Sequence, residues 1–407
     1  MTTLHGRLDE LATLGATGEG IDRALFTAPE RVARERFAAW SAAAGLRVEQ
    51  DRAGNVFARL AGREDLPPVQ CGSHLDTVRN GGAYDGAYGV VGGLAALERI
   101  AASGTRPRRP LEVVAWAGEE GSRFPLGCLG SAVYAGLTPY DEVCALVGDD
   151  GEPFPQALHG PTGLLAGVPV RDGFPPPAAY LELHIEQGPV MERDGVRLGV
   201  VTAIAGQRRY RAVIDGVAGH AGTIPMAGRA DALCAASELV LAVERATREV
   251  GEAVGTVGHL VVEPNQTNIV PGRVTLRIDV RSVDDARTLA IEGRLNAAAI
   301  AIQAERGVRI ALEAIETRAA VPMDARLREL VRGACLPLDP RAADIASGAG
   351  HDAMCVAHVA PTAMIFVPSI GGRSHVGDER TAPADLELGV EALAAALVAA
   401  DRDPAFT

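Results

Sequence analysis

The sequence predicts an α/β protein, a mainly parallel sheet flanked by helices and interrupted by a smaller α+β domain. Three observations carry this reading. Short, continuously apolar runs such as LEVVAWAG and AYLELHIEQGP alternate with helical patterns, as buried parallel strands do. From about residue 206 the runs change to polar–apolar alternation, the mark of half-exposed strands. The chain has 407 residues, 47% of them hydrophobic, which suits two domains with sizeable cores.

The elements follow in order. Residues 1–45 read as helical, with ERVARERFAAWSAAAGL carrying apolar residues at helical spacing and stopping at Gly45. VQCGSHLDTV reads as a buried strand, and GVVGGLAALERIAASG as a helix stopped by Gly104. LEVVAWAG is a strand followed at once by Glu119 and Glu120. Pro175, Pro176 and Pro177 mark a loop before the strand AYLELHIEQGP. Beyond 206, QRRYRAVIDG, AVGTVGHLVVEP, GRVTLRIDVRS and VRIALEAIETRA read as strands. Between them, DALCAASELVLAVERATREV and DDARTLAIEGRLNAAAIAIQAERG read as helices. The order β-α-β-β-α-β is the ferredoxin-like arrangement. Residues 206–318 are therefore expected to form an inserted domain, with 1–205 and 319–407 building the larger one.

Composition narrows the function. A net charge of −13 argues against a nucleic-acid partner, which would need clustered Lys and Arg. No apolar run reaches the roughly 18–20 residues of a membrane helix, and MTTLHGRLDELATLG does not look like a signal peptide. Cysteines 71, 128, 144, 234, 335 and 355 are scattered without a CxxC pair. They are expected to be reduced, mostly buried thiols of a cytoplasmic protein.

The chemistry is suggested by residues near the strand ends, where α/β sheets gather function. GSHLDTVRNGGAYDG places His74, Asp76 and Asp85 among glycines. Alone, the stretch reads equally well as a turn, because Asp-Gly is a turn signal. AGEEGSRF sets two glutamates side by side, which costs energy unless a cation or a shifted pKa relieves it. LELHIEQG puts His184 within an apolar strand, where a lone histidine is more often a satisfied core residue. GGRSHVGDE puts His375 in a glycine-rich loop. Together they offer three imidazoles and several carboxylates, a donor set for two divalent ions of the Zn, Mn, Co or Ni kind. Such a pair turns water into a nucleophile near neutral pH, and a free glutamate beside it can carry the proton to the leaving nitrogen. Asp76, two residues after His74, is placed to accept the second N–H of that ring.

The runs SHLDTV, GGAYDGAYGV, WAGEEGSRF, LELHIEQGPVME, GHAGTIPM, QTNIVPG and SHVGDE resemble, in order and over nearly the whole chain, one known family. It is the hydantoinase/carbamoylase branch of the M20 metallopeptidase-like amidohydrolases, with its N-carbamoyl-L-amino-acid hydrolases, allantoate amidohydrolases and β-ureidopropionases. The resemblance implies a catalytic domain of the zinc-peptidase type with an inserted lid and dimerisation domain. By position it implies that His74 and His184 bind one metal, Glu120 and His375 the other, and that Asp85 bridges them. Glu119 would be the general acid/base. His220 would polarise the scissile carbonyl, in its own subunit or across a homodimer. Gln187, Asn268 and Arg281 would hold the substrate; read without the resemblance, Asn268 is a turn former and Arg281 a solvated strand residue. Peptidases of the superfamily typically carry a carboxylate at the station of His184, so the histidine turns the reading from peptides to ureido acids. An N-carbamoyl-L-amino acid is the first expectation and allantoate the second. An aminoacylase or dipeptidase, or a binding protein that lost the chemistry, are the rivals. One departure is visible: the family often has S-H-x-P-x-E around the last histidine, and Gly377 stands in the proline's place. His351, in SGAGHDAM, lies in a glycine-rich loop and is not assigned to the site.

Overall fold

The computed structural model describes residues 3–171, 173 and 175–406. The chain forms two compact units. The first comprises the chain up to Thr202, Met323–Ile345 and the residues from Ala349 on. The second comprises Ala203–Pro322 and Ala346–Gly348, slightly wider than the insertion read from the sequence.

In the first unit, four parallel strands form the centre of the sheet, in the order Leu111–Trp116, Val69–His74, Ala179–Ile185 and Thr362–Val367. Every residue in these four strands is buried. Burial on both faces is why they read as unbroken apolar runs. The strands Val56–Leu60, Arg47–Gln50 and Gly199–Ile204 join antiparallel to their neighbours in this order. Registers such as His74↔Trp116 and Phe366↔His184 bring the carboxyl ends of the four parallel strands side by side. The helix Ala87–Ala102 is buried along most of its length, including Val90, Val91, Leu94 and Leu97. An apolar helix of this kind belongs inside a core, and it packs against Pro383–Arg402.

In the N-terminal region two helices form, Leu4–Thr13 and Ala28–Ala43, with an irregular stretch between them. That stretch contains Gly15, Gly18 and Gly20, which interrupt the helical reading of 1–45.

In the second unit, four antiparallel strands run in the order Arg309–Arg318, Gly206–Asp215, Arg273–Ser282 and Val254–Glu263. Helices Ala232–Val250 and Asp285–Arg306 pack on this sheet, and Ala212, Ile214, Leu239, Leu276 and Ala299 share a core. Asp231 and Asp284 cap the helices by accepting from backbone N–H groups of the first turn. A two-stranded ribbon pairs His220 with Ile269. Among the described residues no helix is long and apolar enough to cross a membrane.

Candidate active site

The adjoining strand ends deliver the donors. His74 closes its strand, His184 is the penultimate residue of its own, and Glu119, Glu120 and His375 lie on the loops that follow two others. Asp85 sits just before the helix Ala87–Ala102, whose positive end favours a carboxylate. Two groups form, His74–Asp85–His184 and Asp85–Glu120–His375, each with its donor atoms within 4.8 Å of one another. Asp85 belongs to both and divides its oxygens between them. Its Oδ1 lies 3.2 Å from His184 Nε2 and 3.7 Å from His74 Nε2. Its Oδ2 lies 3.1 Å from His375 Nε2, which is in turn 3.8 Å from Glu120 Oε2.

The rings are aimed by their other nitrogens. His74 Nδ1 meets the Asp76 carbonyl at 3.0 Å, and His184 Nδ1 meets the Ile185 carbonyl at 2.9 Å. Both therefore carry a proton on Nδ1 and present Nε2 to Asp85. The Asp76 carboxylate lies 3.6 Å from His74 Nδ1, farther than its own backbone carbonyl. Its hydrogen bonds go elsewhere: it accepts the N–H groups of Glu119 at 3.1 Å and Glu120 at 3.2 Å. Asp76 thus fixes the turn that carries both glutamates, a role the spacing to His74 did not suggest.

The electrostatics describe a competition for positive charge. Burial raises the Asp85 carboxyl, but hydrogen bonds from His184 and His375 reverse this and hold it well below the usual range. Burial opposes the charge on His184, yet the Asp85 hydrogen bond lifts its pKa to about 9. His375 is lifted to about 9 chiefly by its hydrogen bond to Asp85. Burial pulls His74 down. Burial and Glu120 push Glu119 well up, and burial and Asp85 do the same to Glu120. A divalent cation in each group would relieve these crowded carboxylates. Three imidazole Nε2 atoms, one shared carboxylate and one further carboxylate suit borderline divalent ions. The residues fit the metals that the donor set implies.

Glu119 stands apart from the two Asp85 groups. Its Oε2 is 3.8 Å from His74 Nε2, and its Oε1 accepts a hydrogen bond from the Cys128 thiol at 3.3 Å. A carboxylate beside the donor set, with one oxygen facing it, is placed to take and return a proton.

Two residues not singled out in the sequence, Glu379 and Gly86, and one left unassigned there, His351, also shape the site. Glu379 accepts the N–H groups of Tyr84 at 2.8 Å and Asp85 at 3.0 Å, and takes the Ser374 hydroxyl at 2.6 Å. It clasps the Asp85 loop to the His375 loop. Its signal was the acid at the end of SHVGDE. Gly86 has φ +63° and a Cβ there would lie 2.4 Å from the His74 ring, so only glycine fits behind Asp85. His351 lies with its ring centroid 4.5 Å from that of His184 and is kept neutral by burial, which pushes its pKa well down. It packs behind the donor set and belongs to a buried group with Glu182 and His184. Glu182 is itself held by Ser73 at 2.9 Å, the Ala353 N–H at 2.8 Å and the Tyr180 hydroxyl at 3.2 Å.

The four residues expected to meet substrate divide between the units. Gln187, in the first, adopts φ +61° and donates to Asp85 Oδ2 at 2.9 Å; its buried amide oxygen has no partner among the described residues. His220 and Asn268 lie together on the ribbon of the second unit, where the Asn268 carbonyl accepts the Ala221 N–H at 2.9 Å. The Gly222 N–H donates to His220 Nδ1 at 3.1 Å, so the neutral ring carries its proton on Nε2 and can donate it. Arg281 is already engaged. Its Nε and Nη2 fork onto Asp279 at 2.9 and 3.3 Å, and Nη1 reaches the Gly348 carbonyl at 3.0 Å.

The chain is similar to known proteins along nearly its whole length. The model of peptidase family M20/M25/M40 matches residues 71–399. An N-carbamoyl-L-amino-acid amidohydrolase of Paenarthrobacter aurescens is 38% identical over 405 residues, covering 98% of each chain. An allantoate amidohydrolase of Bacillus subtilis (strain 168) is 36% identical over 389 residues, covering 95% of this chain and 94% of the relative. The crystal structure of a hydantoinase/carbamoylase family amidase from Burkholderia multivorans superposes with a TM-score of 0.92 at 38% identity, covering 98% of each chain. With its donor residues gathered at the strand ends, the chain belongs to the M20 family, in the hydantoinase/carbamoylase branch, and is a carbamoyl or ureido amidohydrolase of non-peptide carbon–nitrogen bonds.

Proposed function

We propose that the substrate is an N-carbamoyl-L-amino acid, hydrolysed with one water to ammonia, carbon dioxide and the amino acid. The observation that carries this is a glutamate, Glu119, outside the two donor groups that share Asp85 and include His184, with one oxygen facing His74. A protein named for that substrate is 38% identical over 405 residues, and one named for allantoate is 38% identical over 389, so allantoate is the second reading and the substrate panel below decides between them. His184 in place of a carboxylate speaks against a dipeptidase, and a binding protein has no use for Glu119.

Two divalent ions would be held by His74, Asp85 and His184 and by Asp85, Glu120 and His375. When bound they supply Lewis acidity and lower the pKa of nearby water. Glu119 Oε2 takes the proton of the attacking water and returns it to the leaving nitrogen. His220 Nε2–H stabilises the charge developing on the carbonyl oxygen. Gln187, Asn268 and Arg281 hold the remainder of the substrate. The small unit is proposed to act as a lid and as the surface of a homodimer.

Ammonia release across carbamoyl amino acids, allantoate and dipeptides tests the reading. The highest kcat/KM is expected on a carbamoyl-L-amino acid. A higher value on allantoate would replace the substrate, and turnover confined to dipeptides would overturn the class. Replacing His220 by alanine should lower kcat about 10²–10³-fold, the effect of losing one oxyanion donor, with KM changed far less. A KM effect alone would make His220 a binding residue. In mixed dimers of His220→Ala and Glu119→Gln subunits, recovered activity would mean that His220 works across the interface.

Arg281→Lys addresses the substrate carboxylate. Asp279 takes Nε and one N–H of Nη2 and the Gly348 carbonyl takes one N–H of Nη1, which leaves one N–H on each Nη for a ligand. Lysine keeps the charge and loses this geometry. KM should rise about 10–100-fold, the scale of a hydrogen bond between charged groups. The wild-type preference for an acid over its carboxamide analogue should shrink equally. A variant that keeps the full preference would show that another group holds the carboxylate.

A further inference from the structure

Cys128 occupies a backbone conformation that a cysteine rarely adopts, φ 54° and ψ 33°. Left-handed geometry disfavours a side chain with a Cβ, and glycine is the usual occupant. The Cys128 N–H donates to the Glu119 carbonyl at 2.8 Å, a bond that glycine would make equally well. The side chain adds a thiol contact with Glu119 Oε1 at 3.3 Å, beside a hydrogen-bonding contact with the Cys355 thiol. The Glu119 carboxylate is thereby divided, with Oε1 held from behind and Oε2 facing His74 at 3.8 Å. Behind the thiol, Cys128 packs with Ala132 and Cys355 in a small buried cluster, which shields the thiol's side of the contact.

We propose that Cys128 is a positioning residue for Glu119, its thiol fixing Oε1 so that Oε2 alone is presented for proton transfer. This rests on Glu119 being the general acid/base. Cations in the two donor groups would offset the charges of Glu120 and Asp85, so net charge alone does not set which Glu119 oxygen faces His74. A donor on its rear oxygen removes rotations that carry the other oxygen away, and small displacements of a reacting group are costly. The thiol is a weak donor, but its acceptor is a partly buried carboxylate, 12% exposed.

The test uses full-length, metal-loaded enzyme with Cys128→Ala, Cys128→Ser and Cys128→Gly. The alanine variant should lose about tenfold in kcat, the scale of one hydrogen bond to a charged group, with KM within twofold and metal content unchanged. Serine retains a donor of similar size and should recover most of the loss, which a packing role would not predict. Glycine suits the backbone, so its variant should fold and still show the alanine-like kcat. In a Glu119→Gln background, Cys128→Ala should change the residual rate by less than twofold. If Glu119→Gln abolishes turnover while Cys128→Ala and Cys128→Gly keep wild-type kcat, this inference fails and the role of Glu119 stands. If Glu119→Gln is itself active, the reading of Glu119 fails first. Equal losses in the alanine and serine variants would assign Cys128 to packing.

Discussion

Glu119→Gln is expected to keep its metals and lose kcat by about 10³–10⁴-fold, the upper part of what general acid–base catalysis supplies. One residue would serve both proton transfers, so its removal slows both attack and departure. The amide has nearly the shape of the carboxylate, and its oxygen can still accept from the Cys128 thiol at the position of Oε1. Folding and metal content should therefore stay at the wild-type level. Metal analysis beside the rate measurement makes the test specific. Loss of one equivalent of metal would make Glu119 a ligand, a possibility raised by the proximity of its carboxylate to His74 and Glu120. Full metal content with activity within a few-fold of wild type would mean that the base is elsewhere.

The second large effect concerns Asp85. Asp85→Ala should strip both ions, because it is the one residue present in both donor groups with His74 and His375. His184→Ala and His375→Ala should each weaken one group more than the other. Removing a residue that merely supports a ligand costs about 10–100-fold in metal affinity, and removing a shared ligand should exceed this for both ions. Titration with a divalent metal, read by metal analysis after desalting, separates the cases. Two ions retained by Asp85→Ala, or full occupancy of both groups in His184→Ala or His375→Ala, would defeat the assignment.

Much of this architecture was legible because the physics acts locally. Central parallel strands are buried on both faces and read as apolar runs, which points to their ends. The second unit was visible because its strands alternate: Arg273–Ser282 turns Val274, Leu276, Ile278 and Val280 inward. The flanking strands were harder. Arg47–Gln50 has four residues, mostly exposed or half-buried, and only its pairing with Val56–Leu60 makes it a strand. The donors were legible as residue types near strand ends, but their mutual aim was not. That Asp76 serves the backbone of Glu119 and Glu120 depends on contacts 43 and 44 positions away. The engagement of Arg281 by Asp279 was available in principle, since residues two apart in a strand share a face. The left-handed turn at Cys128 leaves no trace in the sequence, because nothing local favours it.

Gly377 bears on how such enzymes can be altered by borrowing residues from relatives. A Cβ at this position would lie 2.1 Å from the Glu19 carbonyl oxygen and 2.7 Å from Gly20 Cα. The loop that carries His375 therefore leans on the N-terminal segment, and Ile21 of that segment bridges to Gly81 on the way to Asp85. Consensus engineering would write the family's proline at 377 and expect a stiffer loop. In this background the pyrrolidine ring would collide with backbone that cannot retreat without disturbing the approach to Asp85. Positions 377 and 19–20 thus form an epistatic set, in which the proline becomes acceptable only after the N-terminal segment has been re-routed.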